Sequence, residues 1–154
     1  MDWGSLFFKF NGRINRGKYW LAVLIYSAIY LVLAIFGYVT DESGIYQAVN
    51  GMLGIVIFIS SLAVGVKRLH DRNKSGWYLV LFYIVPGILV TGGMVIGTVM
   101  EDSIVLASVL GLAAFAIGVW AFVELGCLRG TVGANPYGPD PLAAAVVPPM
   151  RTPA

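Results

Sequence analysis

The sequence predicts an all-α protein, an integral membrane four-helix bundle with both termini in the cytoplasm and a short interfacial segment at its N-terminus. Three observations predict it. Four apolar stretches each run 19 residues or more, enough to cross a hydrocarbon core about 30 Å thick. The chain is 58% hydrophobic and 12% charged, against about 25% charged in soluble domains, so it lacks the polar surface that a soluble fold of this size requires. All ten Lys and Arg residues precede the first stretch, separate the second from the third, or follow the fourth. The other two connections carry only acids, Asp41 and Glu42, then Glu101 and Asp102. Cations beside membrane spans are retained on the cytoplasmic side, and this sets the orientation.

Residues 1–18 mix Trp3, Leu6, Phe7, Phe8 and Phe10 with Lys9, Arg13, Arg16 and Lys18. A short helix lying in the interface is expected, then a turn at Asn11-Gly12. The membrane domain covers 19–125, with spans at about 19–39, 48–66, 77–100 and 104–125. Tyr19-Trp20 suit the headgroup level. Pro86 lies about ten residues into the third span, where it should kink the helix. Residues 126–141, rich in Gly and Pro, read as a structured turn segment on the cytoplasmic side. Residues 142–154 form an Ala- and Pro-rich tail expected to be disordered.

One cysteine, Cys127, excludes an internal disulfide framework and a cysteine-based zinc site. The first apolar run is too long for a signal core and is followed by no small-residue cleavage pattern, so it reads as a retained span. The bacterial inner membrane is the expected location. No nucleic-acid motif accompanies the basic residues, and nucleic acid is not expected as a partner.

Lipid is as apolar as Leu, so association of the spans must draw on close approach at small residues. Ala107, Gly111, Ala114, Gly118 and Ala121 follow a 4-3-4-3 spacing on the fourth span, suited to a left-handed crossing. Asn50, Gly54, Ser61, Gly65 and Arg68 share a stripe on the second, and Gly93 and Gly97 form a GxxxG pair on the third. Both intramolecular packing and an oligomer seam fit these patterns.

Through residues 19–39, 48–66, 77–100 and 104–123 there is no Asp, Glu, Lys, Arg or His. Coupled carriers place such a group at membrane depth, so a proton-driven transporter is disfavoured. Glu124, one turn beyond Ala121, should be partly desolvated and form an interfacial ion pair, with Arg68 and Arg129 nearest in depth. His70 and Asp71 are adjacent, so on a helix their side chains point about 100° apart. With no nucleophile elbow and only one histidine, neither catalysis nor a metal site is expected, and no cofactor. Asp71 should neutralise neighbouring cations, and Ser75-Gly76 should start the third helix.

The three segments on the basic side together resemble the bacterial inner-membrane group known as the domain of unknown function 805 family. The matching residues are Phe10-Asn11-Gly12-Arg13 with Arg16 and Tyr19-Trp20; Arg68-Leu69-His70-Asp71 with Ser75-Gly76-Trp77; and Gly130-Thr131, Gly133, Asn135, Tyr137-Gly138 and Asp140-Pro141. The resemblance implies a four-span inner-membrane protein and supplies no established activity.

The function expected is therefore non-enzymatic: a basic cytoplasmic face that binds anionic lipid headgroups or a partner protein. Arg13, Arg16, Arg68, Arg72 and Arg129 would make the contacts, and His70 and Asp71 would shape the loop. Guanidinium groups suit phosphate because they present donors in pairs. An oligomeric channel or transporter for a small or amphipathic solute, and an accessory subunit of a larger membrane complex, are the alternatives.

Overall fold

The computed structural model describes residues 2–40, 43–99 and 103–143. The four loop acids, Arg151 and nearly all of the Ala/Pro-rich tail lie outside the described residues. Within them the chain is helical, and four helices are long and apolar enough to cross a membrane.

The interfacial helix α1, Trp3–Phe8, starts where the Asp2 carboxylate accepts the Ser5 N–H at 3.1 Å, a standard N-cap. Its Leu6 is buried against Ile14, Ala22 and Val64, while Trp3 and Phe8 are exposed. Phe7 stacks on Trp3 and tilts onto Tyr26. The helix thus lies across the spans rather than continuing the first.

Helix α2, Arg16–Val39, is capped by Asn15, whose side chain accepts the Lys18 N–H at 2.9 Å. Helix α3, Gly44–Asp71, is capped by Ser43. The pair is fastened at membrane depth by a hydroxyl bond between Tyr26 and Ser60, 2.8 Å, which satisfies both polar groups where no water is available. Toward its far end Gly37 takes the Tyr46 ring, and a Cβ there would stand 2.7 Å from that ring.

Helix α4, Val80–Val99, and helix α5, Ile104–Cys127, form the second hairpin. Gly93 lies against the Ala107 carbonyl, and Gly97 faces the Ala107 side chain. Ala114 is buried and Ala121 packs against a core of Leu69, Leu79, Phe82 and Leu125. Gly111 and Gly118 differ from the rest of the stripe: open space lies where their Cβ would be. On α3, Gly65 receives Leu79, whereas Gly54 meets nothing.

Two helix ends depart from the sequence expectation. The second span stops at about residue 66 on polarity, yet α3 continues to Asp71. Its last turn stays helical because Lys67, Arg68 and Asp71 are buried and hydrogen-bonded by other segments, Asp71 by Arg13. Helix α4 opens with a π turn, Val80–Ile84, closed by the Val85 N–H on the Val80 carbonyl. It lies immediately before Pro86, whose ring crowds the preceding turn and whose nitrogen donates nothing. Widening that turn is the accommodation found at the expected kink.

The hairpins are joined at one end, where the cations lie. Trp20 packs on Phe122 and donates its indole N–H to the Gly126 carbonyl at 3.0 Å, and Arg68 reaches from α3 to the end of α5.

Candidate functional site

Three segments distant in sequence converge at this basic end: residues 10–18, the α3–α4 connection, and residues 128–142. Asp71 is their centre. Its carboxylate accepts from Arg13 at 3.1 and 3.2 Å and from Arg68 at 2.5 Å. Its backbone carbonyl accepts the Thr131 N–H at 2.8 Å and the Thr131 hydroxyl at 3.1 Å. Arg68 is 0% exposed and Asp71 is 2% exposed.

Two guanidinium groups and one carboxylate leave a surplus positive charge inside the protein. Backbone carbonyls absorb it. Arg68 donates to the Leu125 carbonyl at 2.8 Å and to that of Leu128. Arg13 donates to the carbonyls of Gly133 at 2.7 Å, Gly138 at 3.3 Å and Thr131 at 2.6 Å. The last four carbonyls of a helix lack intrahelical partners, and the cluster uses those of α5. A π turn at Val123–Cys127, closed by the Leu128 N–H on the Val123 carbonyl, ends that helix. The carbonyl of Leu125 meets Arg68 and that of Gly126 meets Trp20. No buried side-chain nitrogen or oxygen among the described residues is left without a partner.

Around this centre sit two further clusters. Glu124 pairs with Arg72 and Lys74, each at 3.0 Å. These are not the partners that depth alone suggested. Arg68 is held by Asp71 three residues on in its own helix, and Arg129 meets Arg72 through its backbone carbonyl. His70 turns away from Asp71, consistent with the angle between adjacent helical residues. Its ring stacks on Tyr137 at a centroid distance of 3.9 Å and 6° between planes, and its Nδ1 lies 3.3 Å from the Gly12 carbonyl. A carbonyl only accepts, so Nδ1 carries the proton. The His70 carbonyl accepts from the Asn135 amide at 2.8 Å.

The turn segment is built by its own residues. Asn135 and Gly138 exchange backbone hydrogen bonds, and Gly133 and Gly138 have φ of 80° and 139°. Asp140 accepts the backbone N–H groups of Leu142 and Gly133. Those two bonds hold its carboxyl below the ordinary aspartate range. A depressed pKa stabilises the turn above the unfolded-state value and loses that contribution as pH falls through the folded-state value. Acidification from about pH 4 downward should therefore loosen this turn, read by NMR of the Gly133 and Leu142 amides, and Asp140→Asn should remove the dependence.

Arg13, Arg68, Arg72, His70 and Asp71 are thus brought together and engaged with one another or with backbone. Arg16 and Arg129 are exposed; the Arg16 guanidinium makes one long contact, 3.5 Å, to the Cys127 carbonyl. Sequence reasoning gave no role to Lys67, which is buried and donates to the carbonyls of Ser5, at 2.6 Å, and Leu6. It caps α1, and its own carbonyl accepts the Ile14 N–H at 3.3 Å. The only sequence signal was a lysine that opens a basic run. Among the described residues no group of His, Cys, Asp and Glu could hold a metal ion.

Four apolar helices, satisfied polar groups at depth and one closed polar end define a polytopic membrane protein. The family model described as a protein of unknown function, DUF805, matches residues 7–139. The chain belongs to that family. It is 27% identical over 147 residues to the inner membrane protein YhaH of Escherichia coli K12, covering 92% of this chain and 97% of YhaH. It is 31% identical to the uncharacterized protein YiiR of the same organism, covering 86% of each. It is 26% identical to the inner membrane protein YhaI, covering 86% of this chain and 85% of YhaI. No solved structure matches it.

Proposed function

We propose that the protein is a non-enzymatic inner-membrane protein whose basic end faces the cytoplasm and binds anionic phospholipid headgroups. The observation that carries this reading is a division of labour among its cations. Arg13, Arg68, Arg72 and Lys74 are consumed by Asp71, Glu124 and backbone carbonyls. Lys9, Arg16, Lys18 and Arg129 have no carboxylate partner among the described residues. The first group, with His70, holds the shape of the end; the second gives it a positive field at headgroup level. The exposed aromatics Trp3, Phe8 and Phe10 on and beside α1 suit insertion among headgroups. YhaH and YhaI are named inner membrane proteins, and the placement of the cations supports a cytoplasmic basic end.

The test is reconstitution in vesicles of mixed anionic and zwitterionic phospholipid, with the annular composition read by mass spectrometry. Each basic residue at the surface contributes about 1 kcal/mol of attraction to an anionic leaflet. The triple variant Lys9→Gln, Arg16→Gln, Arg129→Gln should therefore lose most of the anionic enrichment while keeping its fold. Unchanged enrichment would overturn the reading.

A further inference from the structure

The surface cations just described act together through a diffuse field, whereas two lysines of the same end line one recess. A cavity of about 260 Å³ lies between α1 and the starts and ends of α2 and α3. Its wall includes Lys18, Lys67, Arg13, Asn11, Gly12 and Asp2, the cap of α1. At about 30 Å³ for a water in the liquid, it holds more than a lone water or ion.

The charge in this wall is unbalanced. Arg13 shares the Asp71 carboxylate with Arg68, and Asp2, which accepts the Ser5 N–H, contributes one negative charge. Lys18 and Lys67 outweigh it, and the two ammonium groups repel each other. Lys67 is 3% exposed. It gives two of its three protons to Ser5 and Leu6, which leaves one donor for a ligand. Lys18 has no acceptor for its ammonium group among the described residues. Asn11, Gly12 and Arg13 also line the cavity, and their backbone N–H groups donate to no protein acceptor among the described residues. An acceptor-only group with several oxygens and negative charge complements that set, and a phosphodiester is such a group.

A second hollow, of about 160 Å³, lies against the last residues of α1. It is apolar, between Phe7 and Phe8 of α1, Ile25 and Ile29 of α2, and Val56 and Ile57 of α3. Along α3, ten residues separate Lys67 from Ile57, about 15 Å at the helical rise. That is half of a hydrocarbon core about 30 Å thick, so cavity and hollow serve the same leaflet.

We infer that the cavity lined by Lys18, Lys67 and residues 11–13 holds the phosphate of one glycerophospholipid, with an acyl chain of that lipid in the apolar hollow against α1. The inference rests on the headgroup-binding reading and adds to it one stoichiometric site. Lys18 supplies the selective contact. Lys67 binds phosphate with its remaining proton while holding α1 in place, so lipid binding and docking of α1 stabilise each other.

Native mass spectrometry of the full chain released from nanodiscs of phosphatidylglycerol and phosphatidylethanolamine tests this. One phospholipid should remain per chain. A hydrogen bond to a charged group contributes about 1.5–3 kcal/mol, so Lys18→Gln should lower its retention about tenfold or more. Ile25→Trp, which fills the hollow without touching the cavity, should lower it as well. Inorganic phosphate is the second arm. Protection of the chain against thermal unfolding by free phosphate equal to that by short-chain phospholipid would assign the cavity to a soluble anion and overturn the lipid. If both variants keep their lipid while the Lys9, Arg16, Arg129 variant loses anionic enrichment, the site falls and the wider reading stands. If neither lipid retention nor enrichment is seen in the wild-type protein, both fall.

Discussion

Asp71→Asn should cost the folded protein about 3–5 kcal/mol of stability. The substitution keeps the shape and one acceptor oxygen but removes the carboxylate that pairs with both Arg13 and Arg68. Both guanidinium groups have side chains 1% exposed or less, and water cannot reach them to compensate. Removing one member of a buried ion pair costs about 3–5 kcal/mol, against a total stability of about 5–15 kcal/mol for ordinary domains. The loss falls where the hairpins are joined, so it should separate them rather than soften one helix. The measurement is thermal unfolding of detergent-solubilised protein, together with protease cleavage between residues 128 and 142. Cleavage should rise because Thr131 and Arg13 both depend on the position of Asp71. Adding Arg13→Gln to Asp71→Asn removes one of the uncompensated charges and should recover part of the stability, a coupling of the kind expected between contacting residues. Unfolding of the single variant within about 1 kcal/mol of wild type would show that the carbonyls alone hold the arginines.

The architecture was legible because a bilayer imposes its requirement on composition. A span must be apolar over its whole length, and the sequence states that without reference to any partner. The small residues were legible in part. Gly93 and Ala107 meet because α4 and α5 are consecutive, and short connections make neighbours of consecutive spans. Gly111 and Gly118 obey the same spacing and meet nothing. Spacing identifies a face; it does not say that another helix of the same chain covers it.

The basic end was legible by residue type and not by role. Asp71 was expected to neutralise cations, and it does. Which cations was hidden, because Arg13 and Thr131 come from 58 and 60 positions away and only the folded backbone brings them in. The arginines were assigned to an outside ligand because charge beside a membrane is usually exposed. The structure turns three of them inward onto carbonyls that exist as free acceptors only where α5 ends in a π turn and the chain then folds back. That turn has no local sequence signature; it is set by Arg68 and Trp20 reaching it from other helices. Lys67 and Lys18 were read only as part of the basic charge, for the same reason. Their wall is completed by α1, and a six-residue helix lying across the spans leaves only a short amphipathic pattern.

Gly130→Ala should produce the second-largest loss, by a different mechanism. The chain passes so close to Asp71 that a Cβ at residue 130 would overlap the carboxylate. A flexible neighbour would move aside. This one is clamped on both oxygens by Arg13 and Arg68 and hydrogen-bonded through its own carbonyl to Thr131. Either the carboxylate leaves its arginines or the 128–131 backbone lifts away, taking the Leu128 carbonyl from Arg68 and the Arg129 carbonyl from Arg72. Overpacking a fixed site typically costs about 1–3 kcal/mol, and the absence of a yielding neighbour places this case at or above the upper end. Gly118→Ala is the matched control, because its Cβ enters open space. There the methyl group should stabilise the helix by about 0.5–1 kcal/mol. Both changes add a single methyl group to a membrane protein. A melting temperature lowered by Gly130→Ala and unchanged or raised by Gly118→Ala attributes the difference to contact with the Asp71 carboxylate. Equal melting temperatures for the two variants would show that the 128–131 segment does not press on Asp71, and its hydrogen bonds to Asp71 and Arg68 would then have to hold without close packing.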